Sequence, residues 1–297
     1  MPVLTHRAVF VIRETDYEAL IARHATSGQV RFFLESRGQR LEDVLERHER
    51  FHAVLTRARA SVPDEWRQAL VKRADLDRFL FAPDDVIVAV GQDGLVANVA
   101  KYLRAQPVIG INPAPDLYDG VLARVAVERL RELLLASVNG AAQVERRTMV
   151  QAVLDHGETL FALNEIFVGH RSHQSARYRI EAAGDAEDQS SSGLIVASGT
   201  GITGWARSIA EATHLAVPIG AEEPAVGYWV REPFPSIATT TRLRAGKLDD
   251  AGLLVTSRMN DGGVVFADGI EQDFLTFGWG CQVRLSQAER TLNLAVG

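Results

Sequence analysis

The chain has 297 residues, 46% of them hydrophobic, enough for a sizeable core and for two domains rather than one or four. Charged residues make up 24%, as in ordinary soluble proteins, and a formal net charge of −6 argues against a broad nucleic-acid footprint. One cysteine, Cys281, excludes an internal disulfide framework or a cysteine zinc site and favours a reducing compartment.

The N-terminus, Met1 to Ala8, carries no apolar signal core. No apolar run approaches the roughly 18 residues of a membrane span. A cytoplasmic protein is expected, with no membrane partner. Residues 8–12 (AVFVI) read as a buried strand, and Thr15 and Glu18 form a T-x-x-E capping box that opens a helix. From Arg40 to Ala60 apolar residues recur at mostly helical spacing, predicting one long amphipathic helix with a charged, solvated outer face. Residues 86–90 (VIVAV) read as a parallel strand buried on both faces. The loop Gly91 to Gly94 interrupts that strand, and a helix follows from Leu95 to Leu103. Residues 108–111 (VIGI) form a second buried strand, ended by Asn112 and Pro113, and Val125 to Val138 reads as another helix.

After about Thr148 short apolar or alternating stretches alternate with turn residues, which predicts a largely β second domain. Strands are expected over 162–168, 176–182, 194–197, 227–230 and 253–256. The polar, Ser-rich stretch from Gly184 to Gly193 is expected to be a loop.

Three constellations carry candidate chemistry. The first is Gly91-Gln92-Asp93-Gly94, after a buried strand and before a helix. Ligands of such sheets bind beyond the carboxyl ends of the strands, where glycines admit a phosphate and a helix N-terminus offers free N–H groups. Asp93 adds a carboxylate there. It would repel a phosphate unless a metal or a substrate hydroxyl lies between, so it is a candidate base or metal contact. An Asp-Gly turn without chemistry is the plain alternative.

The second is Asn164-Glu165, polar residues between apolar neighbours in an expected strand. They are either a solvated strand end or a pair that hydrogen-bonds ligand hydroxyls and amides. The third runs from Ser191 to Trp205, an apolar strand entering a Gly/Thr-rich turn and then a helix containing Ser208. Hydroxyls and a flat indole suit a purine and its ribose; a tight turn with a core Trp is the alternative.

In this order and spacing, the three pieces resemble the NAD kinase family. The family's Gly-Gly-Asp-Gly-Thr loop corresponds to Gly91-Gln92-Asp93-Gly94-Leu95 and its Asn-Glu motif to Asn164-Glu165. Its Thr-Gly-Ser-Thr-Ala-Tyr stretch corresponds to Thr200-Gly201-Ile202-Thr203-Gly204-Trp205. Further stretches are similar to the mitochondrial-type branch: 107–120 (PVIGINPAPDLYDG), 162–169 (ALNEIFVG), 191–194 (SSGL), 198–201 (SGTG), 231–233 (REP) and 261–269 (DGGVVFADG). The similarity covers roughly residues 84 to 290.

The resemblance implies an α/β, Rossmann-like phosphate-donor domain over 1–145 and a β-rich NAD-binding domain over 146–297, with the substrate between them. It implies that the last strands or the tail return to the first domain. Asp93 would take the proton from the ribose 2′-hydroxyl, and Asn164 and Glu165 would hold the dinucleotide, with Thr200, Thr203, Gly204 and Trp205 around its bases. Gly91, Gln92, Gly94, Asn112 and Ser208 complete the expected binding set. Magnesium, with ATP or polyphosphate as donor, would complete the chemistry. A homodimer or higher homo-oligomer is expected, and no dedicated protein metal site. The basic cluster His170, Arg171, His173, Arg177 and Arg179 is either a solvated hairpin or a set of phosphate contacts.

The chain departs from the family pattern at Gln92 and Leu95. Gln92 fills space meant for a phosphate and would strain a loop that needs positive φ, and Leu95 removes a hydroxyl. Trp205 keeps a stacking face but loses a phenol. Two alternatives stay open: a related kinase acting on a lipid, and a non-catalytic NAD(H)-binding sensor with a decayed donor loop.

Overall fold

The computed structural model describes residues 6–118, 120–237 and 239–296. The chain divides into two compact units, residues 1–145 with 293–297, and residues 146–292.

The first unit is α/β. Its elements are β1 (Arg7–Ile12), α1 (Asp16–His24), α2 (Ser27–Glu35), α3 (Leu41–Ala60), β2 (Arg67–Lys72), β3 (Asp85–Val90), α4 (Asp93–Ala100), β4 (Pro107–Ile111) and α5 (Leu130–Val138). The strands lie parallel in the order β2-β1-β3-β4. Every residue of β3 is buried, as the unbroken β-branched run predicts for a strand covered on both faces. Phe10, Val88 and Ile109 of the sheet pack with Phe51, Leu55 and Ala58 of α3 and with Leu130 and Leu134 of α5. The capping box at α1 is present: Thr15 N–H donates to Glu18 Oε2 at 2.7 Å and Glu18 N–H donates to Thr15 Oγ1 at 3.3 Å. The expected helix over 125–138 is a short 3₁₀ turn at 127–129 leading into α5.

The second unit is β-rich. It contains β5 (Gln143–Leu154, which starts just inside the first unit), β6 (Thr159–Ala162), β7 (Glu165–His170), β8 (Ala176–Ala182), β9 (Asp185–Ser191) and β10 (Leu194–Ser198). Then follow α6 (Trp205–Thr213), β11 (Val226–Val230), β12 (Ala245–Lys247), β13 (Leu253–Ser257), β14 (Gly263–Ala267), β15 (Leu275–Thr276) and β16 (Gln282–Val296). One antiparallel sheet runs β12-β11-β10-β7-β14-β15, and β16-β13-β8-β9 form another antiparallel run. Their inner faces share one core, with Ile166, Val168 and Val196 on one side and Ile180, Val255 and Leu285 on the other. The outer face of the first sheet, through Phe167, Ile195 and Trp229, packs on Ala206 and Ile209 of α6. The end of β16 returns to the first unit, where Asn293 and Leu294 pair in parallel with Pro107 and Val108 of β4. The α/β-plus-β-rich architecture is as expected.

Two expectations need correction. The stretch from Gly184 to Gly193 is a strand for most of its length, β9, hairpinned to β8 through Ala183 (φ 51°) and Gly184 (φ 84°). Its buried side chains are polar but satisfied by one another. Gln189 Nε2 donates to Glu187 Oε1 at 2.5 Å and to the Leu243 carbonyl at 2.9 Å, and Tyr178 donates to Gln189 at 3.1 Å. Nor is 162–168 one strand: it breaks between β6 and β7, so Asn164 sits in the turn and Glu165 opens β7.

Candidate functional site

In the first unit, Gln92 is the N-cap of α4 and Asp93 its first residue. Gln92 has φ −84° and ψ 169°, an extended conformation open to any residue, so the replacement of a family glycine carries no backbone strain. Its side chain is exposed. Leu95 is buried, and its Cδ2 lies 2.9 Å from where a Cβ on Gly91 would stand. The family's hydroxyl position has therefore become core packing under the loop.

Asp93 is held by its own unit. Its Oδ1 accepts the N–H of Leu122 at 2.9 Å and of Ala123 at 2.8 Å, and its Oδ2 accepts the N–H of Val121 at 2.9 Å. Asn112, just after β4, ties the same loop. It donates to the Tyr118 carbonyl at 2.7 Å and accepts the Ala114 N–H at 2.9 Å. Gly110 and Gly120 let that loop approach: a Cβ on Gly110 would meet the Leu122 carbonyl oxygen at 2.3 Å. Gly91, Gln92, Asp93, Gly94 and Asn112 thus border one surface at the carboxyl ends of β3 and β4.

In the second unit, the Asn-Glu pair and the Thr-Gly turn adjoin. The Asn164 carbonyl accepts the Ser198 N–H at 3.0 Å, and Ser198 Oγ donates to the Leu163 carbonyl at 2.5 Å while accepting the N–H groups of Thr200 and Gly201. A Cβ on Gly201 would lie 2.1 Å from the Asn164 carbonyl oxygen, so only glycine permits this approach. Thr200 is buried and its Oγ1 has no hydrogen-bond partner. Thr203, Gly204 and Ser208 are exposed, and Thr203 donates to the Thr200 carbonyl at 3.1 Å. Trp205, the first residue of α6, stacks on Phe167 at 5.7 Å between ring centres, with the Arg231 guanidinium 4.9 Å from its ring. The indole is a fixed platform, braced by two side chains that its sequence neighbourhood does not announce.

Asp268 organises this corner. Its carboxylate accepts the N–H groups of Leu163 (2.9 Å), Asn164 (2.7 Å) and Glu165 (3.3 Å). It does so with φ 49°, a left-handed conformation unusual outside glycine. Burial first, and the Asp268 charge second, push the Glu165 carboxyl up to about 8. Glu165 is therefore protonated at neutral pH and offers an O–H donor. In the basic cluster, Arg179 pairs with Glu181 at 3.2 Å and lies 3.9 Å from Asp188, and His170 Nδ1 accepts from Ser172. Arg171, His173 and Arg177 are exposed, as on a solvated hairpin.

No family model matches the chain. It is similar to the NAD kinase of Chlorobaculum tepidum, 29% identical over 143 residues, 46% of this chain and 47% of that one. The NAD kinase of Methylococcus capsulatus is 33% identical over 133 residues, 42% of this chain and 44% of its own length. The chain spans about half the length of these curated relatives. Among solved structures, yeast NADH kinase complexed with NADH matches with a TM-score of 0.58 at 14% identity, over 99% of this chain and 84% of that one. The NAD kinase from Archaeoglobus fulgidus in complex with ATP matches with a TM-score of 0.57 at 20% identity, over 98% and 93%. The chain has the NAD kinase fold.

On that fold the first unit presents a carboxylate at a helix N-terminus, and the second a neutral carboxyl, an amide and an unpartnered hydroxyl. The residues that sequence reasoning passed over are Asp268, Phe167 and Arg231. All three lay in stretches singled out for their similarity to that family, 261–269, 162–169 and 231–233, but none was named as a site residue.

Proposed function

We propose that the protein phosphorylates the adenosine ribose 2′-hydroxyl of NAD to give NADP, with a nucleoside triphosphate or polyphosphate as donor. The observation that carries this is the Asp93 loop, the Asn164-Glu165 pair and the Thr200–Trp205 turn in family order on the NAD kinase fold. Two solved proteins of that fold were bound to NADH and to ATP, which supports the same ligand classes here.

In this account Asp93 is the general base. Its Oδ1 is filled by two N–H groups, whereas Oδ2 accepts one. A lone pair on Oδ2 is left for the ribose proton, and the backbone donors hold the carboxylate in place for it. Asn164 and the protonated Glu165 give the dinucleotide an amide and an O–H donor, and the unpaired Thr200 hydroxyl gains a ligand partner. Trp205 supplies a flat face beside the ligand. Gly91, Gln92, Gly94 and Asn112 border the phosphates, and Ser208 lies one turn along α6.

Magnesium neutralises charge on a transferring triphosphate. The donor loop does not fit a protein-held magnesium: it offers a single carboxylate with one open acceptor position, which the ribose hydroxyl takes in this account, and Leu95 is buried without a hydroxyl. No step is assigned to a metal held by the protein. Leu95 is also the observation that favours a second reading, a non-catalytic NAD(H) sensor. Among the described residues no helix is long and apolar enough to cross a membrane. A cytoplasmic homo-oligomer belongs to the proposal, and sedimentation of the purified protein tests the assembly.

The deciding experiment incubates purified protein with NAD, magnesium and a donor panel of ATP, GTP and polyphosphate, and measures NADP. NADP formed with any donor supports the kinase. Calorimetric NAD binding without NADP from every donor favours the sensor.

A further inference from the structure

A cluster of metal-ligating side chains lies outside the candidate site, where α1 meets α3. His48 and His52 stand one turn apart on α3, so both project from the same helix face. Their rings lie 4.4 Å apart, edge to face. Glu18 comes from the first turn of α1, and its Oε1 is 3.2 Å from His52 Nε2. The other oxygen, Oε2, is occupied by the Thr15 N–H at 2.7 Å and the Thr15 hydroxyl at 3.0 Å. That hydroxyl is also 2.8 Å from His48 Nδ1, which fixes the second ring. One ligand atom from each of Glu18, His48 and His52 falls within 4.8 Å of the other two.

We propose that Glu18, His48 and His52 bind one divalent transition-metal ion of the zinc type, which ties α1 to α3. Two imidazoles and a carboxylate are the donor set that zinc takes, whereas magnesium prefers oxygen alone. Ligand bonds near 2.1 Å in a tetrahedron place neighbouring donors about 3.4 Å apart, close to the 3.2 Å between Glu18 Oε1 and His52 Nε2. The ion replaces the hydrogen bond between them and needs both rings neutral on the ligating nitrogen. Three protein ligands leave a fourth position for water.

The capping box does two jobs in this arrangement. It holds Glu18 by Oε2 and leaves Oε1 facing His52, and the Thr15 hydroxyl contacts the His48 ring at Nδ1. Outer partners of this kind set ligand orientation in metal sites. Side-chain exposures of 41% for His52 and 38% for Glu18 give an ion a path from solvent. Arg59 and Lys72, both exposed, line the same depression.

Asp155, His156 and Cys281 form a second group of ligand types, on the other unit. Burial and the neighbouring Asp155 push the Cys281 thiol up to about 11, which works against the thiolate a metal needs. That group is the internal control.

The test uses the full chain, stripped with EDTA and dialysed, titrated with cobalt(II) by visible absorption and with zinc against a chromogenic chelator. Wild type and Cys281→Ser should each bind one equivalent. Losing an outer-shell partner costs 10- to 100-fold in metal affinity, so losing a ligand in His52→Gln should cost more than about 100-fold. Glu18→Gln should weaken binding at least about 10-fold, and because Gln also serves in a capping box the helix start is kept. Circular dichroism of the metal-free variants checks their folding, and zinc should raise the unfolding midpoint of wild type but not of His52→Gln. No saturable binding by wild type, or binding lost in Cys281→Ser and kept in His52→Gln and Glu18→Gln, would overturn the proposal.

Discussion

Replacing Glu165 by Gln keeps the shape of the side chain and removes its ability to ionise. In the folded chain burial and Asp268 push this carboxyl up to about 8, against an ordinary value of 4.5. At pH 7 the fold therefore holds a proton that the unfolded chain has released. The difference costs the wild-type fold about 3 kcal/mol at 1.36 kcal/mol per pH unit, and partial exposure of Glu165 brings this to about 2 kcal/mol. The folded value is raised, so the sign is fixed. The stability is fully present below pH 4.5, is lost as pH rises towards about 8, and falls no further above it. Glu165→Gln escapes this loss. Thermal unfolding followed by circular dichroism from pH 4.5 to 9 should give matching midpoints at the acid end. At pH 7 the variant should be higher by about 4–8 °C, and by pH 8 by more. A difference that does not change with pH, or a variant less stable than wild type at pH 8, would refute a neutral Glu165.

Two further substitutions probe the ligand contacts. Asn164→Ala should weaken NAD binding by about 1–3 kcal/mol in calorimetric titration, as for a lost ligand hydrogen bond, and unchanged affinity with the fold intact would remove the contact. Gln92→Gly combined with Leu95→Thr should change the relative apparent affinities for ATP and polyphosphate while the NAD dissociation constant stays nearly fixed. Because Leu95 is buried, the double variant should also lose about 2 kcal/mol in chemical denaturation. A donor profile left unchanged while NAD affinity shifts would assign this loop to the other substrate.

Much of the α/β unit was legible because its signals are local. The capping box at Thr15 and Glu18, the helical period from Arg40 to Ala60 and the run VIVAV each specify an element with little outside help. β9 was illegible for a tertiary reason. Its inward residues Glu187, Gln189 and Ser191 are polar, and partners such as Leu243 that justify burying them lie far away in sequence. The site divides in the same way. Asp93, Asn164 and Thr200 were found from motifs, but Asp268 reaches Asn164 across 104 residues and no spacing rule reports that contact. Gln92 shows the converse. Its replacement of a family glycine suggested strain, yet the backbone there is extended and accepts a side chain.

The most direct test of the central claim is turnover by Asp93→Asn beside wild type, at saturating NAD, ATP and magnesium, with NADP read by an NADP-specific dehydrogenase. Loss of a positioned base should lower kcat by on the order of 10²–10⁴. The NAD dissociation constant should stay close to wild type, and circular dichroism should show that the loop over 121–123, which Asp93 anchors, has not unfolded the unit. Wild-type NADP formation that collapses in the variant while NAD still binds is the predicted result. Near-normal turnover by Asp93→Asn, or no NADP from wild-type protein that binds NAD, would contradict the account.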